Sequence, residues 1–174
     1  SLISSLNTNS ILSGKLNNIS GSKEIIIGGK GHTITTTNHS IVAGLTNKDY
    51  KGDHNAIFGT VQDVSACDNV ISSGKTNTVK SSENTLVIGD TNSVVATNES
   101  IISGKSMNVN GGKRSIIGGE SITLTNSEGI SATGLNHQIL TTNRSLISGD
   151  SINETSGINN ASIGQTLTSN TTEN

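Results

Sequence analysis

Few side chains in this sequence are equipped for chemistry, and their spacing says more than their number. His39 and His54 stand fifteen positions apart. If the backbone repeats with that period, their rings stack about one strand spacing, ~4.8 Å, from each other. Two imidazoles so placed could share a transition metal. The plainer alternative is a pair of exposed polar residues, because the same column holds Asn69, Asn84, Glu99 and Arg114. His32 and His137 share a second column; on a symmetry axis either would pair with its copies or bind an anion. Cys67 is the only cysteine, so it has no internal disulfide partner. No base is placed to activate it as a nucleophile, and no two acids form a glycosidase pair. The chain therefore reads as non-enzymatic, with no catalytic residue, cofactor or metal site assigned.

Residues 46–55 interrupt an otherwise monotonous polar sequence. Lys48, Tyr50, Lys51, Asp53 and His54 gather charge and the only tyrosine, and Phe58, the only phenylalanine, follows. This segment reads either as a locally irregular turn or as a protruding patch that a ligand contacts.

Ser, Asn, Thr and Gly make up just over half of the 174 residues; proline is absent and aromatics are 1%. Such a composition suits a disordered linker, but the net charge is only −2 and the apolar residues are mostly Ile, Val and Leu. No apolar run approaches the ~18 residues of a membrane span. Eleven basic residues against thirteen acidic ones, with almost no aromatics, leave no footprint for nucleic acid.

Periodicity resolves the ambiguity. Glycine recurs every fifteen residues at Gly14, Gly29, Gly44, Gly59, Gly74, Gly89, Gly104, Gly119, Gly134, Gly149 and Gly164. We number a repeat from Ser5, so that this glycine is column 10. Columns 7 and 8 are aliphatic in most repeats (Ile26–Ile27, Ile101–Ile102, Ile116–Ile117), and so is column 15 (Ile34, Val79, Val94). β-Branched residues before each glycine favour strands, and Asn, Gly and Ser between them favour turns. Fifteen residues are too few for a helical repeat. They fit two short strands and two turns, with a glycine needed for positive φ or for close backbone approach. The fold read from the sequence is an all-β parallel β-solenoid of about eleven coils, a single repeat domain with coils over 5–169, flanks at 1–4 and 170–174, and a fragment of a longer chain.

Neighbouring side chains of a strand point to opposite faces. Columns 7 and 8 therefore cannot both lie inside one coil, and the outer one leaves an aliphatic stripe along the rod. Such stripes mark interfaces, and identical chains in closed symmetry would cover it.

The segments Asn-Ser-Ile-Leu-Ser-Gly (9–14), Asn-Thr-Leu-Val-Ile-Gly-Asp-Thr-Asn-Ser-Val (84–94) and Glu-Ser-Ile-Ile-Ser-Gly-Lys-Ser-Met-Asn-Val (99–109) resemble the head repeats of trimeric autotransporter adhesins, the YadA-like heads. The Asn three residues after glycine matches at Asn17, Asn47, Asn77 and Asn92 and departs at Met107, Ile122, Ile152 and Leu167. The resemblance implies a left-handed β-roll, a parallel homotrimer, and display on a bacterial surface for attachment to host matrix or a cell-surface receptor. It carries no neck, stalk or membrane-anchoring segment. Two alternatives remain. The rod could be the shaft or receptor-binding head of a virus or phage fibre. It could instead bind ice through columns 12 and 14, which from the fifth coil read Thr76/Thr78, Thr91/Ser93, Ser106/Asn108, Ser121/Thr123, Asn136/Gln138, Ser151/Asn153 and Thr166/Thr168.

Overall fold

The computed structural model describes residues 3–5, 9–21, 23–36 and 38–173. The chain is 81% strand, with no helix among the described residues, and it winds into a parallel β-solenoid of about 10 turns, ~15 residues apart. The strands are β1 (Ile3–Ser5), β2 (Asn9–Lys15), β3 (Asn18–Ser20), β4 (Glu24–Lys30), β5 (His32–Thr35), β6 (Asn38–Tyr50), β7 (Asp53–Ser65), β8 (Ile71–Lys80), β9 (Leu86–Val95), β10 (Ile101–Asn110), β11 (Ile116–Glu128), β12 (Ser131–Asn143), β13 (Leu146–Ile158) and β14 (Ala161–Glu173). From β6 onward each strand pairs with the next in parallel, residue i opposite i+15, without a slip. Pairing reaches beyond the fifteen-residue units 5–169: Ile3 lies opposite Asn18, and Ile158 opposite Glu173. The remaining flank residues 1–2 and 174, and residues 6–8 of the first unit, lie outside the described part.

The coil differs from two strands and two turns in an instructive way. From β6 on, a single strand of 10 to 13 residues runs through the glycine column. The true corners are columns 2 and 5, where non-glycine residues adopt left-handed φ: Lys51 at 58°, His54 at 54°, Ala96 at 52°, Glu99 at 53°. Between them a short third side forms single bridges, such as Asp68 to Glu83 and Lys113 to Glu128.

The glycine column has a packing cause. Positive φ occurs there only at Gly14 and Gly29 among the described residues. At every later position, from Gly44 to Gly164, a Cβ would run into the carbonyl oxygen of the glycine one coil below. Column 13 crowds the same spot from inside: Asn47 Oδ1 would lie 3.1 Å from a Cβ at Gly44, and Asn92 Oδ1 3.0 Å from one at Gly89.

Columns 8 and 15 fill the interior. Ile27, Val42, Ile57, Val87, Ile102, Ile117 and Ile147 come from one strand segment, and Ile19, Ile34, Val64, Val79, Val94, Val109, Leu124 and Ile139 from the other; all are buried. Columns 3, 6 and 13 also point inward, with mainly small or polar residues. Their polar atoms connect successive coils. Thr85 and Ser100 hydroxyls lie 2.6 Å apart, Ser82 Oγ accepts from Cys67 N at 3.3 Å, and Ser127 Oγ accepts from Gly112 N at 3.3 Å. The last two contacts serve backbone N–H groups near the corners.

Gly104→Ala should lower stability to urea by more than about 1 kcal/mol, since the added methyl meets backbone that cannot yield. Ser103→Ala, on the exposed side of the same strand, should stay within about 0.5 kcal/mol.

Candidate functional site

Among the described residues the inward-facing columns are filled with buried side chains, so the surfaces are where the rod can be touched. On the first long face, column 7 points outward. Ile101 is 52% exposed while its neighbour Ile102 is 1% exposed. Ile26, Ile41, Ile71, Ile116 and Leu146 repeat this exposure, and Phe58 and Ile88 in column 9 widen the ridge. The stripe expected from strand alternation is therefore present on the single chain.

The second long face carries columns 12 and 14. Thr76, Thr91, Ser106, Ser121, Asn136, Ser151 and Thr166 stand in unbroken register up the ladder. None of the fourteen residues in these two columns from Thr76 to Thr168 is charged or aliphatic. Earlier coils of this face carry Leu16, Lys48, Val61 and Asp63.

Column 5 forms a third feature, a ladder of side chains at the exposed corner. His39 and His54 stack with centroids 4.9 Å apart and planes 10° from parallel. Asn69 Nδ2 lies 3.4 Å from His54 Nε2, and Asn84 Nδ2 donates to Asn69 Oδ1 at 3.3 Å. Higher up, Arg114 Nη2 pairs with Glu99 Oε1 at 2.7 Å. The histidine stack is as the period requires. No third His, Cys, Asp or Glu joins it to make a metal-sized cluster among the described residues.

The segment 46–55 is neither an irregular turn nor an insertion. It is continuous regular coil, with Asn38 opposite Asp53 and Tyr50 opposite Ser65. Lys48 and Tyr50 face outward beside the hydroxyl face, Lys51 occupies the first corner, Asp53 the short side, and His54 the second corner. Tyr50 Oη donates to Asp63 Oδ2 at 3.4 Å. The five residues thus wrap around an edge of the rod rather than converging on one point.

His32 and His137 differ from expectation. Both lie inside their own coil, 1% and 4% exposed, so neither ring reaches a symmetry mate or an external anion. The parity of the strand explains this, since column 13 faces the same way as buried column 15. Burial holds the His32 imidazole below its ordinary pKa. His137 Nε2 donates to Ser148 O at 2.9 Å.

That contact belongs to a series that sequence reading missed. Asn47 Nδ2 donates to Phe58 O at 3.1 Å, Asn77 Nδ2 to Ile88 O at 2.8 Å, and Asn92 Nδ2 to Ser103 O at 3.0 Å. Asn77 also donates to Asn92 Oδ1 at 2.9 Å. Column 13 therefore satisfies carbonyls beside the glycine bend of the next coil. The recurrence of Asn at that column was the available signal.

Asp49 replaces an aliphatic residue of column 15 and is 1% exposed, with no hydrogen-bond partner for either carboxylate oxygen. Burial pushes its pKa up to about 7. Cys67 lies nearby; burial, and then the Asp49 charge, raise its thiol to about 11. Its Sγ accepts from Gly52 N at 3.3 Å and donates to Ser65 O at 3.3 Å. A sealed thiol that resists ionisation is no nucleophile.

No family model, no curated protein and no solved structure matches this chain.

The Asp49 carboxyl binds its proton more tightly folded than unfolded. Its contribution is fully present below about pH 4 and is lost as pH rises through about 7. Chemical denaturation from pH 4 to 8 should show a decline on the order of a few kcal/mol. Asp49→Asn should flatten that decline and be the more stable protein at pH 8; equal slopes would contradict this assignment.

Proposed function

We propose that the chain is a non-enzymatic rod that self-associates and serves attachment: a left-handed β-roll assembled as a parallel homotrimer and displayed extracellularly on a bacterial surface. The supporting observation is the aliphatic ridge of column 7. Ile11, Ile26, Ile41, Ile71, Ile101, Ile116 and Leu146 stand outside a core already complete without them. A ridge running the length of the rod is an unusually large apolar surface for a lone soluble chain. Identical neighbours supply identical ridges in the same register, which only rotation about an axis along the rod can bring together. The attachment reading rests on form: a stiff rod of about ten coils offers long lateral faces. A virion fibre would use the same assembly, and its anchoring segments would tell the two settings apart.

A second reading is favoured by one observation, the uncharged hydroxyl and carboxamide array of columns 12 and 14 over seven coils in register. Its side chains repeat every ~4.8 Å across strands and roughly 6.6 Å along them, a regular lattice suited to ordering water at an ice surface. Thermal hysteresis at millimolar protein, reduced at least twofold in the double variant Ser121→Lys and Asn136→Lys, would support it. Its absence would remove it.

Two adjacent substitutions test the assembly. Ile101→Asp should keep the β-sheet circular dichroism but reduce the species in solution to one chain. Ile102→Asp, which buries an unpaired charge, should prevent folding. If Ile101→Asp leaves the oligomer intact, the ridge is not the interface.

A further inference from the structure

The corner ladder of column 5 has one gap. His39, His54, Asn69, Asn84, Glu99, Arg114 and Arg144 all hold side chains there at φ between 48° and 57°. Gly129, at φ 65°, holds none. Nothing steric compels this glycine: the nearest atoms to an added Cβ belong to Arg114, at 3.7 Å or more, an ordinary contact. The backbone conformation does not compel it either, since those seven residues of the column, and Asn159 at φ 56°, adopt it with full side chains. The result is a notch between Arg114 and Arg144, two coils or roughly 10 Å apart, bordered on the short side by Asn98, Lys113 and Glu128.

Charge is concentrated there. Arg114 pairs with Glu99, and Arg144 with Glu128. Lys113 has no ion pair among the described residues. Three cations facing two carboxylates leave the notch positive in a chain whose net charge is −2. Both arginine side chains remain about 70% exposed, at 71% and 69%, so their existing pairs are weak and readily shared. A guanidinium has five N–H donors in a planar fork, and a single carboxylate contact leaves several free.

We infer that the Gly129 notch binds the anionic group, carboxylate or sulfate, of an acidic polysaccharide. The two guanidiniums clasp the group from above and below, Lys113 supplies the unpaired charge, and the Asn98 carboxamide can meet a sugar hydroxyl. A sugar ring matches the gap left by one missing side chain. An acidic peptide suits it less, because the six lining residues include no apolar side chain to hold one. This inference takes its biological sense from the attachment reading, whose ligand it specifies, but the notch is built within one chain and does not depend on assembly.

Isothermal titration at low ionic strength, with a heparin-derived hexasaccharide, a hyaluronan hexasaccharide and hexaglutamate as probes, tests it. Both sugars should bind, and their relative strength separates sulfate from carboxylate preference. Hexaglutamate should bind at least tenfold more weakly. Arg144→Ala, and Gly129→Asn with unchanged melting temperature, should each weaken sugar binding at least tenfold. Lys75→Ala, at an exposed lysine elsewhere, should change it less than twofold. Three results would overturn the inference: no sugar binding at 1 mM, equal losses in Lys75→Ala and the notch variants, or hexaglutamate binding as tightly as the sugars. Repeating the titration on Ile101→Asp separates the two readings: sugar binding by a one-chain rod would uphold the notch whatever becomes of the trimer.

Discussion

A strand sends successive side chains to opposite faces, and a coil of fifteen residues encloses only one of those faces. Everything distinctive about this molecule follows. Ile102 is enclosed and Ile101, its neighbour, is left outside. The same division repeats at Ile26–Ile27, Ile41–Val42 and Ile116–Ile117. The glycine column governs the stacking instead, since there the backbones of successive coils come too close for a side chain.

Narrowness also explains why so polar a sequence folds. Many coils need only about two enclosed aliphatic residues, from columns 8 and 15, because much of the rest of the interior is occupied by polar residues that bond to a neighbouring coil. Asn77 and Asn92 meet carbonyls at the bend, while Ser82 and Ser127 meet amide groups near the corners. Toward the C-terminal half column 13 changes character, to Met107, Ile122 and Ile152, and the core there becomes more hydrocarbon-like. Asp49, His32 and Thr97 are exceptions to satisfied polarity, buried with no hydrogen-bond partner for any side-chain polar atom.

The period, the parallel ladder and the aliphatic ridge were legible in the sequence because each rests on a regular spacing. Glycine every fifteen residues set the coil, and adjacent apolar columns had to divide between inside and outside. The interior role of column 13 was equally implied by its distance of two from column 15, yet Asn and His at surface-like frequency disguised it. His32 and His137 were misplaced for that reason. The corners were hidden by chemistry: Lys51, His54 and Glu99 adopt left-handed φ where glycine or asparagine would have announced a turn. The notch at Gly129 was illegible too, since it depends on which side chains flank a missing one across three coils. Lys48, Tyr50, Lys51, Asp53 and His54 stand out in composition, but contiguity in sequence gave no hint that two of them, Lys51 and His54, form corners that spread the group around the rod.

Whether the outer aliphatic row is covered by sister chains is the central claim, and sedimentation equilibrium of the wild-type rod over a hundredfold range of concentration addresses it most directly. Three chains of 17.8 kDa each should sediment as one species of about three times that mass, with no smaller species at micromolar concentration. A folded rod of 17.8 kDa across the whole range would contradict it.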